Sequence, residues 1–231
     1  MKIGAVVFDL DHTLFDRYET LKLCAPELYS GFHEIISQKY DLNAFTNLLI
    51  EADKHCIHYG WSALFEYYVK HDLLKEGMSF PAENYLKALL NSYKHHAVKY
   101  SFTKDVLSFI KSHNLKTGLI TNGAVSLQNA KLEMLDIKNC FDEILISEQL
   151  GCEKPDTKLF FEMSKRLKLP PDKLIYVGDH PINDALASQK AGYTPVLVKS
   201  MGFFTMPVAK TFKYCIDDIS YLPQLILKEF L

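Results

Sequence analysis

The hydrophobic pattern divides the chain into two kinds of sequence. Residues 18 to about 98 carry apolar positions at helical spacing and contain no convincing strand. From about residue 103 onward, short apolar runs alternate with helical periodicity, and a further apolar run at residues 3–8 ends abruptly at an acidic group. Strands that alternate with helices predict a parallel sheet covered by helices on both faces.

Individual elements can be assigned from the same pattern. Strands are predicted at 3–8, 117–120, 144–146, 174–177, 195–198 and 214–216. Helices are predicted at 42–58, 61–74, 81–93, 104–112, 124–135, 156–167, 182–191 and 219–230. Thr103 is the candidate N-cap of the helix that begins at residue 104.

The first strand must join the later ones, because a lone apolar strand cannot bury itself. The helical block is therefore an insertion between the first strand and the rest of the sheet. We predict a doubly wound, Rossmann-like α/β core made of residues 1–16 and 99–231, with residues 17–98 forming a smaller, all-helical domain.

Composition narrows the class of protein. The chain has 231 residues, 48% hydrophobic and 23% charged, which is ordinary for a globular protein. A formal net charge of -2 gives no electrostatic case for nucleic acid or an anionic membrane as partner. The five cysteines are scattered and form no C-x-x-C pair, so neither a disulfide framework nor a zinc site is expected. No apolar stretch approaches the roughly twenty residues of a membrane helix, and the first apolar run is too short for a signal peptide. We expect a cytoplasmic monomer or homodimer.

Polar side chains collect directly after four of the predicted strands. Ligands of open parallel sheets bind at the carboxyl ends of the strands, so we expect these groups to share one cleft. They are Asp9, Asp11 and Thr13 after the first strand, Thr121, Asn122 and Gly123 after the second, Lys154 a few residues after the third, and Asp179, His180, Asn183 and Asp184 after the fourth.

These residue types suit phosphoryl chemistry. Carboxylates without histidine or cysteine partners favour a hard cation such as Mg²⁺, and a lysine beside small-residue backbone N–H groups favours an oxyanion such as phosphate. One aspartate can attack phosphorus as a nucleophile. A second carboxylate can then give a proton to the leaving oxygen and later activate water.

The same residues resemble the motifs of a known family. Asp9-x-Asp11-x-Thr13, Thr121, Lys154 and Gly178-Asp179-x-x-x-x-Asp184 are similar, in order and context, to the four motifs of the haloacid dehalogenase (HAD) superfamily. The resemblance covers the whole chain and extends to the helical insertion, which corresponds to the C1-type cap of subfamily I.

The resemblance implies a role for each motif residue. Asp9 would be the nucleophile and Asp11 the general acid and base, and Mg²⁺ would be bound by the Asp9 carboxylate, the Asp11 main-chain oxygen and Asp179. The phosphoryl group would be held by Thr121 and Lys154 with the Asn122 backbone nearby, and Asp184 would orient water or Lys154 without binding the metal. Simpler structural roles are open for two of them, since Thr121 could cap the following helix and Asp184 could favour a helix N-terminus.

Asp11 favours a phosphatase among the reactions of this family. The dehalogenases look different at this position, which is not aspartate there, whereas phosphate-ester hydrolysis needs it. The mutases are similar in having Asp11 but resemble Asp-x-Asp-Gly, where this chain has His12 and Thr13. We therefore predict a Mg²⁺-dependent phosphatase that hydrolyses a small phosphorylated metabolite, a nucleotide or sugar phosphate, through an aspartyl-phosphate. The alternatives are a phosphomutase, a 2-haloacid dehalogenase and a non-catalytic phospho-aspartate signalling or binding protein.

The helical insertion offers candidates for substrate contact. Arg17 follows the acidic loop closely, where its guanidinium could reach a second anionic group of the substrate, and a surface ion pair with Asp16 or Glu19 is the alternative. The aromatic and histidine side chains of the insertion are expected mainly to pack its amphipathic helices, although one or two could line a pocket. They are His55, His58, Tyr59, Trp61, Phe65, Tyr67, Tyr68 and His71.

Overall fold

The computed structural model describes residues 2–56, 61–199 and 206–231, with Trp61 described by its backbone only. The chain forms two compact units, one made of Met1–Asp16 and Lys99–Leu231 and the other of Arg17–Val98. None of the described helices combines the length and the apolar character that crossing a membrane requires.

The larger unit is built around a parallel sheet, to which the described residues contribute six strands. The strands are β1 Ala5–Phe8, β2 Lys116–Thr121, β3 Glu143–Ile146, β4 Leu174–Gly178, β5 Thr194–Val198 and β6 Tyr214–Ile216. Their order in the sheet is β3-β2-β1-β4-β5-β6, and every neighbouring pair is parallel. All four residues of β1 are buried at the middle of the sheet, as an uninterrupted apolar run requires. The predicted doubly wound α/β class is confirmed.

The helices are numbered along the chain. They are α1 Arg17–Phe32, α2 Leu42–Cys56, α3 Trp61–Lys70, α4 Ala82–His96, α5 Thr103–Ser112, α6 Val125–Met134, α7 Lys158–Leu167, α8 Ala187–Lys190 and α9 Leu222–Glu229. The first four belong to the smaller unit and the other five to the larger one.

The side chains of successive residues in β1 point to opposite faces of the sheet. Ala5 and Val7 belong to a buried cluster with side chains of α7 and α8, among them Met163 and Ala187. Helix α5 packs on β2 and on α9 and contributes no residue to that cluster. Both faces of the sheet are therefore covered, which leaves the carboxyl edge as the place where polar groups can collect.

Neither Thr103, predicted as a helix cap, nor Thr121, for which capping is the alternative role, caps the helix that follows it. Thr103 lies inside α5 rather than before it, because its hydroxyl donates to the Leu14 carbonyl at 3.1 Å instead of capping the helix. Helix α6 begins after Ala124, so Thr121 does not cap it. Both hydroxyls are held by tertiary partners, which a local propensity argument cannot include.

The predicted helix over 182–191 is not uniform. Pro181–Leu186 form a wide, π-helical segment, and regular α-helix begins only at Ala187. The Nδ1 atom of His180 accepts the backbone N–H groups of Ile182 and Asn183 at 3.1 and 3.0 Å, which caps the segment. Wide helical turns of this kind often occur at functional sites.

The smaller unit is a helical assembly in which α1 packs on α2 and α4, and α2 packs on α3. Tyr68 and Tyr85 are buried in it with their hydroxyls 3.2 Å apart, and the ring centres of Phe65 and Phe80 are 4.8 Å apart with the rings tilted. Phe65 and Tyr68 therefore pack this unit. Among the other aromatic candidates, His58, Tyr59 and the Trp61 side chain lie outside the described residues.

Candidate active site

The register of the sheet brings three polar groups to one edge. Phe8 of β1 is level with Leu119 of β2 and Val177 of β4, and the Asp9 N–H donates to the Val177 carbonyl at 2.9 Å. This register makes neighbours of Asp9, Thr121 and Asp179, and all three are buried. Thr121 is the last residue of β2, and Asp179 directly follows β4.

Lys154 lies at the centre of this edge. Its ammonium is 2.5 Å from Asp9 Oδ1, 2.7 Å from Asp184 Oδ1 and 3.1 Å from the Tyr176 hydroxyl. Burial alone lowers the pKa of Lys154, but the carboxylates of Asp184 and Asp9 overcome this effect and raise the pKa well above its ordinary value. Lys154 is thus a permanent cation that joins the third motif to the first and the fourth.

Three buried carboxylates share that single lysine. One oxygen from each of Asp9, Asp179 and Asp184 lies within 4.8 Å of the others. Burial raises the pKa of Asp9 to about 7, and repulsion by Asp184 adds to the effect while Lys154 opposes it. Burial, and then Asp184 and Asp9, also raise the pKa of Asp179 well above its ordinary value. The cluster therefore carries more negative charge than its surroundings can compensate.

An all-oxygen donor set with excess negative charge fits Mg²⁺. Asp184 is already engaged on both oxygens, because Oδ1 accepts from Lys154 and Oδ2 accepts the His180 N–H at 2.9 Å. Asp9 and Asp179 are consequently the side chains best placed to bind a cation, while Asp184 holds the lysine.

Gly178 permits this arrangement. A Cβ atom at this position would lie 2.5 Å from Cγ of Asp184, which is closer than two carbon atoms can approach. The glycine of the fourth motif is required because Asp184 folds back over it to reach Lys154.

Asp11 is bound by a second lysine. Lys131 Nζ lies 2.8 Å from its Oδ1 and 3.1 Å from its Oδ2, and Gln128 Nε2 lies 3.3 Å from Oδ2. Regular strand geometry does not extend through this motif, because β1 ends at Phe8 and His12 has φ 62°. The two carboxylates therefore contact different lysines.

Thr121 and Asn122 occupy the end of β2. The Thr121 hydroxyl accepts from Gln128 Nε2 at 2.7 Å. The Asn122 side chain is paired with the backbone of Lys154, since its Nδ2 donates to the Lys154 carbonyl at 3.1 Å and its Oδ1 accepts the Lys154 N–H at 2.9 Å. The Asn122 side chain thus fixes the loop that carries Lys154, and any contact with phosphate falls to its backbone.

Sequence reasoning missed Gln128, Lys131 and Tyr176. Gln128 and Lys131 are polar positions three residues apart on the helix that follows Thr121, and Tyr176 is a hydroxyl-bearing residue in an otherwise apolar buried strand. Both patterns are visible in the sequence. Their meaning depends on long-range contacts, however, since Lys131 is 120 residues from Asp11.

Arg17 is held inside the smaller unit. Its guanidinium makes a two-point ion pair with Asp53, in which Nη2 lies 2.7 Å from Oδ1 and Nε lies 2.9 Å from Oδ2. The central guanidinium carbon lies 5.3 Å from the ring centre of Tyr93. Both charged residues are buried. These contacts account for the position of the guanidinium, and the substrate contact of Arg17 stays a prediction.

The histidine of the fourth motif has a structural role in its loop. Burial lowers the pKa of His180, and its Nδ1 is an acceptor for two backbone N–H groups. The neutral ring therefore caps the π-helical segment and keeps Asp184 next to Lys154.

A parallel sheet that brings buried carboxylates and a lysine to its carboxyl edge has the groups that nucleophilic transfer of a phosphoryl group needs. The chain belongs to the haloacid dehalogenase-like hydrolase family, whose model matches residues 6–198. The predicted family is therefore confirmed.

Named relatives match more than four fifths of the chain. A glyceraldehyde 3-phosphate phosphatase of Methanopyrus kandleri is 29% identical over 204 residues, covering 85% of this chain and 84% of the relative. An (S)-2-haloacid dehalogenase of Pseudomonas fluorescens is 25% identical over 202 residues, covering 83% and 82%. The fold is also that of the HAD hydrolase YfnB of Bacillus subtilis in its magnesium-bound crystal form, with a TM-score of 0.78, 14% identity and coverage of 98% and 100%.

Proposed function

We propose that the protein is a Mg²⁺-dependent phosphatase that hydrolyses a small phosphorylated metabolite, a sugar phosphate or nucleotide, with Arg17–Val98 serving as the family's helical cap. The observation that carries this proposal is the pairing of Asp9 with Lys154 and of Asp11 with Lys131 at one sheet edge. The glyceraldehyde 3-phosphate phosphatase of Methanopyrus kandleri supports the sugar-phosphate class.

The first half-reaction uses both aspartates. A carboxylate oxygen of Asp9 attacks phosphorus, and the bond from phosphorus to the leaving oxygen breaks while Asp11, which enters this step protonated, gives its proton to that oxygen. Lys154 and the Thr121 hydroxyl hold the phosphoryl oxygens during the transfer. The products are an alcohol and an aspartyl-phosphate on Asp9.

The second half-reaction restores the enzyme. Asp11, now ionised, takes a proton from water, the resulting hydroxide attacks phosphorus, and the bond to Asp9 breaks to release inorganic phosphate. Mg²⁺, held by Asp9, Asp179 and the Asp11 main-chain oxygen, would supply positive charge that offsets the buried carboxylates and the phosphoryl oxygens.

A phosphate-release screen of sugar phosphates and nucleotides, with Mg²⁺ present, tests the proposal. We expect turnover of at least one member of these classes, including glyceraldehyde 3-phosphate as a first candidate, and loss of turnover when the metal is chelated. Parallel reactions with a 2-haloacid and halide detection test the dehalogenase alternative. Halide release without phosphate release, or phosphate release that survives exhaustive chelation, would contradict the proposal.

Metal binding should depend on pH because of Asp9. Its pKa in the folded protein is about 7 against an ordinary 3.8, so the metal-free folded state binds this proton more tightly than the unfolded chain. The free energy of unfolding therefore falls as pH rises from about 4 to about 7, by up to about 4 kcal/mol for this group. Mg²⁺ needs the ionised form, so it should raise the melting temperature more at pH 8 than at pH 5.5, by about 4–8 °C.

Thermal melting with and without excess Mg²⁺ at the two pH values measures this difference. Asp179→Asn is the matched control, because it removes a proposed ligand and should lose most of the Mg²⁺-dependent rise at both pH values. An equal rise at pH 5.5 and pH 8 in the unsubstituted protein would show that Asp9 does not bind the metal.

A further inference from the structure

Helix α6 carries two buried polar side chains into the site that the phosphatase mechanism above does not use. Gln128 and Lys131 are three residues apart and therefore lie on one face of the helix. Each is only 2% exposed. A buried lysine is costly unless it is paired, and Lys131 is paired with both oxygens of Asp11 and lies 5.0 Å from the ring centre of Phe15.

Gln128 connects Asp11 to the end of β2. Its Nε2 atom lies 2.7 Å from Thr121 Oγ1, 2.7 Å from the Asn122 carbonyl and 3.3 Å from Asp11 Oδ2. The carbonyl and the carboxylate only accept hydrogen bonds, which fixes this end of the amide as the nitrogen. The other end, Oε1, has no hydrogen-bond partner among the described residues, so the amide acts through its donor end.

The hydrogen bond from Gln128 decides where the Thr121 hydroxyl can direct its own proton. Because its oxygen accepts from Gln128, its own proton is directed to another acceptor. Within the part of the chain that the structure describes, this hydroxyl donates to the Asn122 carbonyl at 3.5 Å, which is long for a hydroxyl donor. A phosphoryl oxygen is the kind of strong acceptor that such a hydroxyl would bind.

We infer that Gln128 and Lys131 are positioning residues that hold the Asp11 carboxylate and the Thr121 hydroxyl in a fixed relation. Lys131 positions the Asp11 carboxylate, and Gln128 positions both that carboxylate and the Thr121 hydroxyl. The inference rests on the proposed phosphatase function, because phosphoryl transfer needs the proton carrier and the phosphate donor in place at the same time. Without the pair, two loops from different strands would have to be ordered separately in each turnover.

A kinetic double-mutant cycle tests the action of Lys131 on Asp11. With an aryl phosphate and Mg²⁺, Lys131→Met should lower kcat by about 10- to 100-fold with little change in KM, the loss typical of a group that orients a catalytic residue. In the Asp11→Asn protein the same substitution should cost less than about threefold, because the residue it positions is already gone. Losses of equal size in the two backgrounds would overturn the inference.

A second cycle needs no turnover and covers the case in which Lys131→Met fails to fold. Calorimetry with inorganic phosphate compares the unsubstituted protein, Gln128→Met, Thr121→Val and the double variant. Gln128→Met should weaken phosphate binding about tenfold in the first background and less than about twofold beside Thr121→Val. A full tenfold loss in both backgrounds would overturn the action of Gln128 through Thr121.

The controls separate this inference from the proposed function. Lys138→Met removes a partly exposed lysine just beyond α6 that pairs with the exposed Glu133 at 2.9 Å, and it should leave kcat unchanged. The unsubstituted protein and Asp9→Asn are assayed alongside. Absence of turnover in the unsubstituted protein would refute the phosphatase together with the role of Lys131, and the phosphate-binding cycle would then decide the action of Gln128 on Thr121. Additive losses in an active protein would refute the positioning roles alone.

Discussion

Asp9→Asn should lower phosphate release by about 10,000-fold or more while the protein remains folded. An amide cannot attack phosphorus as a carboxylate does, and removal of the nucleophile of a covalent mechanism leaves only the contribution of binding. The substitution keeps the size of the side chain and leaves Lys154 its contact with Asp184. Stopped assays with the best substrate of the metabolite screen measure the loss.

The stability of Asp9→Asn should stay the same or increase, although its activity is lost. At pH 8 Asp9 is an ionised carboxylate in a buried, negatively charged cluster, as its pKa of about 7 indicates. The amide removes that repulsion, so the melting temperature of metal-free Asp9→Asn should equal or exceed that of the unsubstituted protein. Asp172→Asn, at an exposed carboxylate in the larger unit, is the control and should change neither property. Near-normal turnover of Asp9→Asn would exclude Asp9 as the nucleophile.

The strands of the sheet could be predicted because their signals are local. The Ala-Val-Val-Phe run of β1 and the Leu-Ile-Tyr-Val-Gly run of β4 are short, apolar and followed at once by polar residues. A parallel sheet aligns such ends by its register, so the proximity of Asp9, Thr121 and Asp179 follows from the fold class alone.

Partners that come from helices could not be predicted in this way. Which residues of α6 or α1 point inward depends on the rotation of each helix about its own axis, and that rotation is set by tertiary packing. Lys131 therefore has no sequence signal that pairs it with Asp11, and the same is true of Arg17 with Asp53, 36 residues apart. The π-helical turn before α8 was also missed, although its stabilising contacts are local, since the His180 side chain accepts the Ile182 N–H and Asp184 accepts the His180 N–H.

The two lysines balance the charge of different carboxylates in the site. Lys154 balances Asp9 and Asp184, whereas Lys131 balances Asp11. Charge separated in this way gives the proposed nucleophile, Asp9, and the proposed proton carrier, Asp11, different surroundings, although they are only two residues apart. Two carboxylates with distinct environments are a recurring arrangement where one group attacks and the other moves protons.

Lys154→Met should cause the largest combined loss of stability and activity in this site. The substitution leaves Asp9, Asp179 and Asp184 buried with no lysine between them, and removal of one partner from a buried ion pair typically costs about 3–5 kcal/mol. The loss for the metal-free protein should be greater at pH 8 than at pH 5, because the carboxylates whose pKa burial has raised can take up protons at the lower pH.

Urea unfolding at the two pH values measures the stability of Lys154→Met, and phosphate release at pH 8 measures its activity, for which we expect a fall of about 100-fold or more. Lys158→Met is the matched control, since Lys158 is exposed and its ammonium lies 3.7 Å from the half-buried Asp156. Saturating Mg²⁺ should recover part of the lost stability at pH 8, because the cation replaces some of the missing positive charge, but it should not recover turnover, since the phosphoryl group still lacks the ammonium. Full activity, or a stability loss independent of pH, would show that Lys154 does not balance these carboxylates.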